Sequence, residues 1–166
     1  MNYMTIKPVD VANGPGVRVS LFVSGCSHHC PGCFNAEAWD YDAGELFTLE
    51  TAQEIMELCD KPQIAGLSIL GGEPLDRKNL HDVTVLAAVF KNRFPDKDLW
   101  VYTGYRYEGV EMLHIMKYID TLVDGPFVEA QKDLSLRFRG SRNQRIIDVQ
   151  LSRQARWPVL RKDLME

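Results

Sequence analysis

The stretch Gly25-Cys-Ser-His-His-Cys-Pro-Gly-Cys-Phe-Asn35 decides how the rest of the chain is organised. It holds three of the four cysteines, Cys26, Cys30 and Cys33, in a C-x3-C-x2-C array that one loop can fold around a single centre. Ferredoxin-type iron-sulfur clusters take four cysteines, and structural zinc sites take four Cys or His ligands. Three cysteines therefore indicate a metal centre with one open position, which is typical of sites that do chemistry.

The segments around this loop predict alternating strands and helices. Apolar residues at every second position of 17–23 predict a strand directly before the loop. A stripe at 52, 55, 56 and 59 predicts a helix capped by Thr48 or Thr51, and it places Cys59 in the core rather than at the metal centre. Further strands are predicted over 64–70, 99–103, 118–123 and 146–151, helices over 79–93 and 108–117, and a loop over 137–145.

This alternation predicts an α/β fold with a mainly parallel sheet. The carboxyl ends of parallel strands meet at one edge, so the cysteine loop and the segments 71–74, 103–105 and 124–127 are expected to share one cleft. A complete eight-unit barrel takes about 250 residues. With 166 residues, this chain is expected to form an incomplete barrel, whose open side would admit a segment of a protein partner.

The composition, with 45% hydrophobic and 25% charged residues, is that of one globular domain. No apolar run approaches the roughly eighteen residues of a membrane span, so no membrane is expected as a partner. Clustered cysteines favour metal ligation in a reducing compartment over disulfides. The sequence therefore predicts a cytoplasmic protein.

Charge is unevenly distributed along the chain. Residues 1–131 carry a net charge of −9, whereas residues 132–166 carry +5 and include seven arginines. This basic segment is either a solvated tail or a docking surface for an acidic partner or phosphates. The candidates for partner docking are Arg137, Arg139, Arg142 and Arg145. The acidic body argues against nucleic acid as the partner.

The motifs together resemble the radical S-adenosylmethionine superfamily, because C-x3-C-x2-C follows the first predicted strand and Gly-Gly-Glu follows the second. Within it, five segments are similar to the activating components of anaerobic (class III) ribonucleoside-triphosphate reductases. These segments are 13–16, 30–35, 100–105, 123–127 and 139–144. The likeness implies a radical SAM domain over 1–146, in the form of an incomplete βα barrel, followed by a basic C-terminal extension over 147–166.

The resemblance also implies cofactors and partners. Cys26, Cys30 and Cys33 would bind three irons of a 4Fe-4S cluster, and S-adenosylmethionine would chelate the fourth iron through its amino and carboxylate groups. Reductive cleavage would give a 5′-deoxyadenosyl radical that takes a hydrogen from a glycine Cα. That glycine would belong to the large subunit of the anaerobic reductase, and the electron would come from an unidentified low-potential, flavodoxin-like donor.

Cofactor contacts follow from the same resemblance. The segment that receives the methionine amino group is matched by Gly71, Gly72 and Glu73. The position before the third cysteine is often aromatic and near the adenine, but here it is Gly32, with Phe34 after Cys33. Which ring covers the adenine therefore stays open. Asp124 is a candidate for a ribose or cofactor contact, with a turn-forming role as the alternative.

Two other functions fit parts of the sequence. One is an activase of another glycyl-radical enzyme; many of these carry a ferredoxin-like insert with further cysteines, and only Cys59 is left over here. The other is an interaction module in which His28 or His29 completes a Cys3His zinc site. Zinc would explain neither the Gly-Gly-Glu segment nor the shared cleft. Both histidines are otherwise expected to be loop residues, with one a candidate hydrogen-bond partner of a cluster sulfur.

Overall fold

The computed structural model describes residues 1–166 as eight strands and five helices around one sheet. The strands are β1 (Asn2–Asp10), β2 (Val17–Val23), β3 (Glu45–Leu46), β4 (Ile64–Gly71), β5 (Asp98–Tyr102), β6 (Thr121–Asp124), β7 (Arg145–Asp148) and β8 (Val159–Leu160). The helices are α1 (Leu49–Cys59), α2 (Leu80–Arg93), α3 (Tyr107–Val110), α4 (Val149–Ala155) and α5 (Lys162–Met165). Short 3-10 turns cover Ala36–Ala38, His114–Lys117 and Glu129–Gln131.

The strands lie in the order β3-β1-β2-β4-β5-β6-β7-β8. The four central strands, β2, β4, β5 and β6, are parallel, whereas both margins of the sheet are antiparallel. The α/β prediction is confirmed, and its parallel part is the centre of a mixed, open sheet. Because the centre is parallel, the carboxyl ends of its strands meet at one edge, as the sequence predicts.

β1 is a strand that the sequence pattern did not predict. It runs antiparallel to β2, and the chain between them turns through Gly14 and Gly16, which have φ of 132° and 76°. Pro8 interrupts the alternation of apolar residues in β1, and the register shifts between Lys7 and Asp10. A proline is tolerated here because most of β1 lies at an open edge, where a missing N–H leaves no ladder bond broken.

The two faces of the central sheet differ in what covers them. Val19, Leu21 and Val23 of β2 point to the face covered by α1 and α2, where they join a core of 25 buried residues. We call the opposite side the inner face. There a smaller cluster forms around Trp100, and the buried Arg18 pairs with Asp98 at 2.7 Å.

Three predicted elements differ from the structure. The strand predicted over 118–123 begins at Thr121, because Tyr118 closes the 3-10 turn before it. The helix predicted over 108–117 is split into α3 and the 3-10 turn His114–Lys117, because Leu113 between them has an extended backbone with ψ of 140°. The strand predicted over 146–151 ends at Asp148, whose side chain accepts a hydrogen bond from Leu151 N at 2.9 Å and begins α4 instead. The helix predicted from Thr48 is confirmed with Thr48 as its N-cap.

The C-terminal residues return to the sheet. β8 pairs with β7, and Leu164 of α5 is 7% exposed within the inner-face cluster around Trp100. The proposed division into 1–146 and 147–166 stays a prediction, and β7 crosses that position. No helix of the protein combines the length and apolar character that a membrane span requires.

Candidate functional site

A cavity of about 430 Å³ opens at the carboxyl edge of the parallel strands. Each of the four segments predicted to meet there contributes to its wall. These lining residues include Cys26, Cys30, Cys33, Phe34, Gly71, Gly72, Glu73, Thr103, Gly104, Gly125 and Phe127. The predicted shared cleft is therefore confirmed, and its volume suits a ligand of small-molecule size.

The three loop cysteines all face this cavity as free thiols. Cys26 is buried, whereas Cys30 and Cys33 are half-buried. Burial raises the pKa of Cys26, and Cys33 Sγ accepts a hydrogen bond from Asn35 N at 3.4 Å. No three His, Cys, Asp or Glu side chains stand in a ready metal-binding geometry. The donor set of three thiols on one wall nevertheless fits an iron-sulfur cluster, because thiolates are its ligands.

Gly32 gives the cysteine loop its sharp turn before the third thiol. It has φ of 72°, and a Cβ at this position would lie 2.7 Å from the carboxylate of Glu129. An aromatic side chain at this position would therefore be strained in backbone and in space. Phe34 lies two positions further on, is 51% exposed, and packs on Phe127 with ring centroids 5.0 Å apart. This aromatic pair forms one side of the cavity.

Cys59 lies away from the cavity. It is fully buried in the core, where burial raises the pKa of its thiol to about 12. The prediction that Cys59 is a core residue is confirmed.

Glu73 is the buried centre of the site, with 1% of its surface exposed. Its Oε1 accepts hydrogen bonds from Leu75 N at 2.9 Å and Thr103 Oγ1 at 2.8 Å. Its Oε2 accepts from Gly104 N at 2.7 Å and contacts His28 Nε2 at 2.8 Å. Two carboxylate oxygens hold about four acceptor positions, so these partners saturate the side chain. Glu73 therefore ties the ends of β4 and β5 to the cysteine loop.

The two histidines have different neighbours. The hydrogen bond to Glu73 raises the pKa of His28, and its ring also meets Tyr105 edge-on at 4.5 Å. His29 has φ of 47° and stacks on Trp39 with ring centroids 4.6 Å apart. Both rings are thus engaged by neighbours other than the cysteines.

Asn79 is a site residue that the sequence analysis missed. Its side chain is buried and donates to Ser24 O at 2.9 Å and Glu73 O at 3.0 Å. These carbonyls belong to the segments after β2 and β4, so Asn79 fixes the base of the cysteine loop to the Gly-Gly-Glu segment. From the sequence, an asparagine directly before α2 would be interpreted as a helix N-cap. Its side chain makes no such capping hydrogen bond and instead binds these two carbonyl groups.

Asp124 is fully buried and turned toward Arg145 rather than toward the cavity. Its carboxylate accepts from Tyr107 N at 2.8 Å and from two nitrogens of Arg145. Arg145 also reaches Glu108 at 2.9 Å. The cofactor contact proposed for Asp124 stays a prediction, since the structure shows its carboxylate already engaged.

The segment 140–144 fastens the turn after β6. Asn143 Nδ2 donates to Pro126 O at 2.7 Å, and Gln144 Nε2 donates to Gly125 O at 3.1 Å. Phe127 directly follows Pro126, so these hydrogen bonds also orient the Phe127 ring that packs on Phe34.

The structure places the four candidate docking arginines in different environments. Arg145 is engaged with Asp124, and Arg142 pairs with Asp133 at 3.0 Å on the surface. Arg137 is exposed and lies over the ring of Phe138 at 5.2 Å. Arg139 lines the cavity. Partner docking by the four together stays a prediction.

Comparisons with known proteins point in one direction. The family model described as 4Fe-4S single cluster domain matches residues 12–147. The anaerobic ribonucleoside-triphosphate reductase-activating protein of Enterobacteria phage T4 is 43% identical over 148 residues, which cover 88% of this chain and 93% of the relative. The proteins of the same name from Escherichia coli K12 and Vibrio cholerae are 42% and 43% identical, each over 87% of this chain and 96% of the relative.

Proposed function

This chain belongs to the family of anaerobic ribonucleoside-triphosphate reductase-activating proteins with a 4Fe-4S single cluster domain, and we propose that it activates such a reductase through S-adenosylmethionine. One observation carries the proposal. The three thiols of the C-x3-C-x2-C array and the Gly-Gly-Glu segment face the same cavity at the carboxyl edge of parallel strands, while Cys59 lies in the core.

Cys26, Cys30 and Cys33 would hold the cluster. When bound, the cluster and S-adenosylmethionine would supply an electron and a 5′-deoxyadenosyl radical for abstraction of a hydrogen from a glycine Cα of the reductase large subunit. The protein supplies binding and orientation. Asn35 N donates a hydrogen bond to Cys33 Sγ and so helps to orient this sulfur for ligation.

Gly71 and Gly72 would let the backbone approach the methionine end of the cofactor. Gly71 has φ of 111°, and a Cβ on Gly72 would lie 2.4 Å from Gly25 O. Since the carboxylate of Glu73 is saturated by protein donors, it would act by orienting the segment and the cysteine loop. The ammonium group of the cofactor would then meet backbone carbonyl oxygens of this segment.

We further propose that the open sheet is a partial radical-SAM barrel formed by residues 1–146, with 147–166 as an extension. The antiparallel margins end at β3 and β8, which do not pair with each other, so the sheet is unclosed. This opening would admit the segment of the reductase that carries the target glycine. A low-potential, flavodoxin-like protein would supply the electron.

The test is anaerobic reconstitution with iron and sulfide, followed by dithionite and S-adenosylmethionine. Wild-type protein should release 5′-deoxyadenosine and, with the reductase added, give a glycyl radical signal in electron paramagnetic resonance. Cys30→Ala should lose the cluster and the product, whereas Cys59→Ala, the matched control, should keep both. An intact cluster in the wild type without any 5′-deoxyadenosine would refute the proposal.

A further inference from the structure

We infer that Tyr102 and Arg139 form a subsite that binds hydrogen-bond acceptors of an extended segment of the reductase. This inference rests on the function proposed above and assigns the residues that would receive the partner. The subsite lies where the cavity continues from the cysteine loop onto the inner face of the sheet. Its wall there consists of Lys7, Phe22, Leu70, Tyr102, Phe138 and Arg139.

The strand register places this wall directly below the cysteine site. Phe22 pairs with Leu70 one residue before the ends of β2 and β4, and the pairing of Ile69 with Val101 sets Tyr102 beside Leu70. Tyr102 immediately precedes Thr103, which binds Glu73. A segment that reached the cysteine site from the open side would therefore pass these side chains.

Three polar atoms of this wall lack partners within the protein. The hydroxyl of Tyr102 is buried without a hydrogen bond, and so are Nε and Nη1 of Arg139. Arg139 makes one hydrogen bond, from Nη2 to the Met165 carbonyl oxygen at 3.2 Å. Buried polar groups are nearly always satisfied, and a buried guanidinium is especially costly to leave unpaired. Such groups on a cavity wall indicate a ligand that completes them.

The donor groups of this wall favour a ligand that carries hydrogen-bond acceptors. Arg139 can only donate, and Lys7 adds a second cation, whose Nζ lies over the Phe22 ring at 4.9 Å. The two carboxylates on the cavity wall are already engaged, Glu73 with its four partners and Asp133 with Arg142. The matching ligand presents carboxylate or backbone carbonyl oxygens.

The surroundings of the mouth indicate a protein rather than a small molecule. Leu134, which lines the cavity, is 82% exposed, and Val9 and Val11, between the lining residues Lys7 and Ala12, are 69% and 68% exposed. Exposed apolar side chains beside a cavity are typical of protein contact sites. In addition, β3 pairs with β1 only at Asn2 and Tyr3, so the rest of this edge can accept an extended segment as a further strand.

The experiment measures two affinities of the reconstituted protein by anaerobic titration calorimetry, one for the reductase large subunit and one for S-adenosylmethionine. Arg139→Gln should weaken reductase binding at least about tenfold, and Tyr102→Phe about threefold to tenfold. In both variants the loss of affinity for the reductase should exceed any loss of affinity for S-adenosylmethionine. Arg93→Gln is the matched control, because this exposed arginine lies at the end of α2, on the opposite side of the sheet, and it should leave both affinities unchanged.

The outcomes separate the two proposals. Unchanged reductase binding in both variants overturns the subsite, while wild-type cleavage of S-adenosylmethionine would still support the proposed function. An equal loss of S-adenosylmethionine affinity would assign Arg139 to the cofactor carboxylate and would also overturn the subsite. Tyr102→Phe removes a single hydroxyl that has no partner, so it tests the subsite even if Arg139→Gln folds poorly. Arg139→Lys, which keeps the charge, should restore part of the affinity.

Discussion

Removing Arg145 from its ion pair with Asp124 should cost more stability than removing any surface contact of the basic segment. The Asp124 side chain is fully buried and that of Arg145 is 21% exposed. Replacing Arg145 by Met would leave the carboxylate buried with one backbone donor, from Tyr107 N. Removing one partner of a buried pair costs about 3–5 kcal/mol. Because water reaches Arg145, we expect the lower end, about 3 kcal/mol.

The ion pair of Arg145 with Glu108 provides the control for this experiment. Glu108, which Arg145 also contacts, has a 54% exposed side chain. A pair of this exposure contributes less than about 1 kcal/mol, so Glu108→Gln should be nearly neutral. For a chain of this size, about 3 kcal/mol corresponds to a decrease of about 6–12 °C in Tm. The two variants should therefore be clearly separated in a thermal unfolding experiment.

The assay is urea unfolding of the reduced apoprotein, followed by circular dichroism and tryptophan fluorescence to establish two-state behaviour. The double variant Asp124→Asn with Arg145→Met removes the uncompensated charge and should be more stable than Arg145→Met alone. The reasoning would be refuted if Arg145→Met lost no more stability than Glu108→Gln. It would also fail if the double variant lost the sum of its two single losses.

Three further predictions concern the cysteine loop and the core. A Cβ on Gly104 would lie 2.6 Å from the His28 ring, so Gly104→Ala should destabilise the apoprotein by about 1–3 kcal/mol in urea unfolding, whereas Gly109→Ala, with open space around it, should not. Since burial raises the pKa of Cys59 to about 12, iodoacetamide at pH 8 should label the two half-buried loop cysteines of the native apoprotein first and Cys59 only on unfolding; early labelling of Cys59 would contradict its placement. Because the hydrogen bond to Glu73 raises the pKa of His28, protonation of His28 stabilises the folded state. This stabilisation is complete below about pH 6.5, the pKa of an unfolded histidine, and it is lost as the pH rises through the raised pKa. The difference in unfolding free energy between wild type and His28→Gln should therefore shrink between pH 5.5 and 8.5, and a constant difference would exclude the proposed linkage.

Local sequence patterns predicted most of the central architecture. The alternation in 17–23 predicted β2, and the stripe ending at Cys59 predicted α1 with its buried thiol. Periodicity works for these elements because it reports which face of a segment is buried. It missed β1, whose pattern is broken at Pro8, and it merged α3 with the following 3-10 turn because both bury residues at helical spacing.

The sequence by itself determined the cysteine array, the parallel centre of the sheet and the edge at which the cavity forms. Only the tertiary structure decided how that cavity is held together. His28 meets Glu73 across 45 positions, Arg145 meets Asp124 across 21, and Asn79 meets the Ser24 carbonyl across 55. Periodicity and local turn signals carry no information on such pairs, because a hydrogen bond depends on which side chains the packed sheet brings within reach. For the same reason the unpartnered donors of Tyr102 and Arg139 become visible only when every neighbour has been placed.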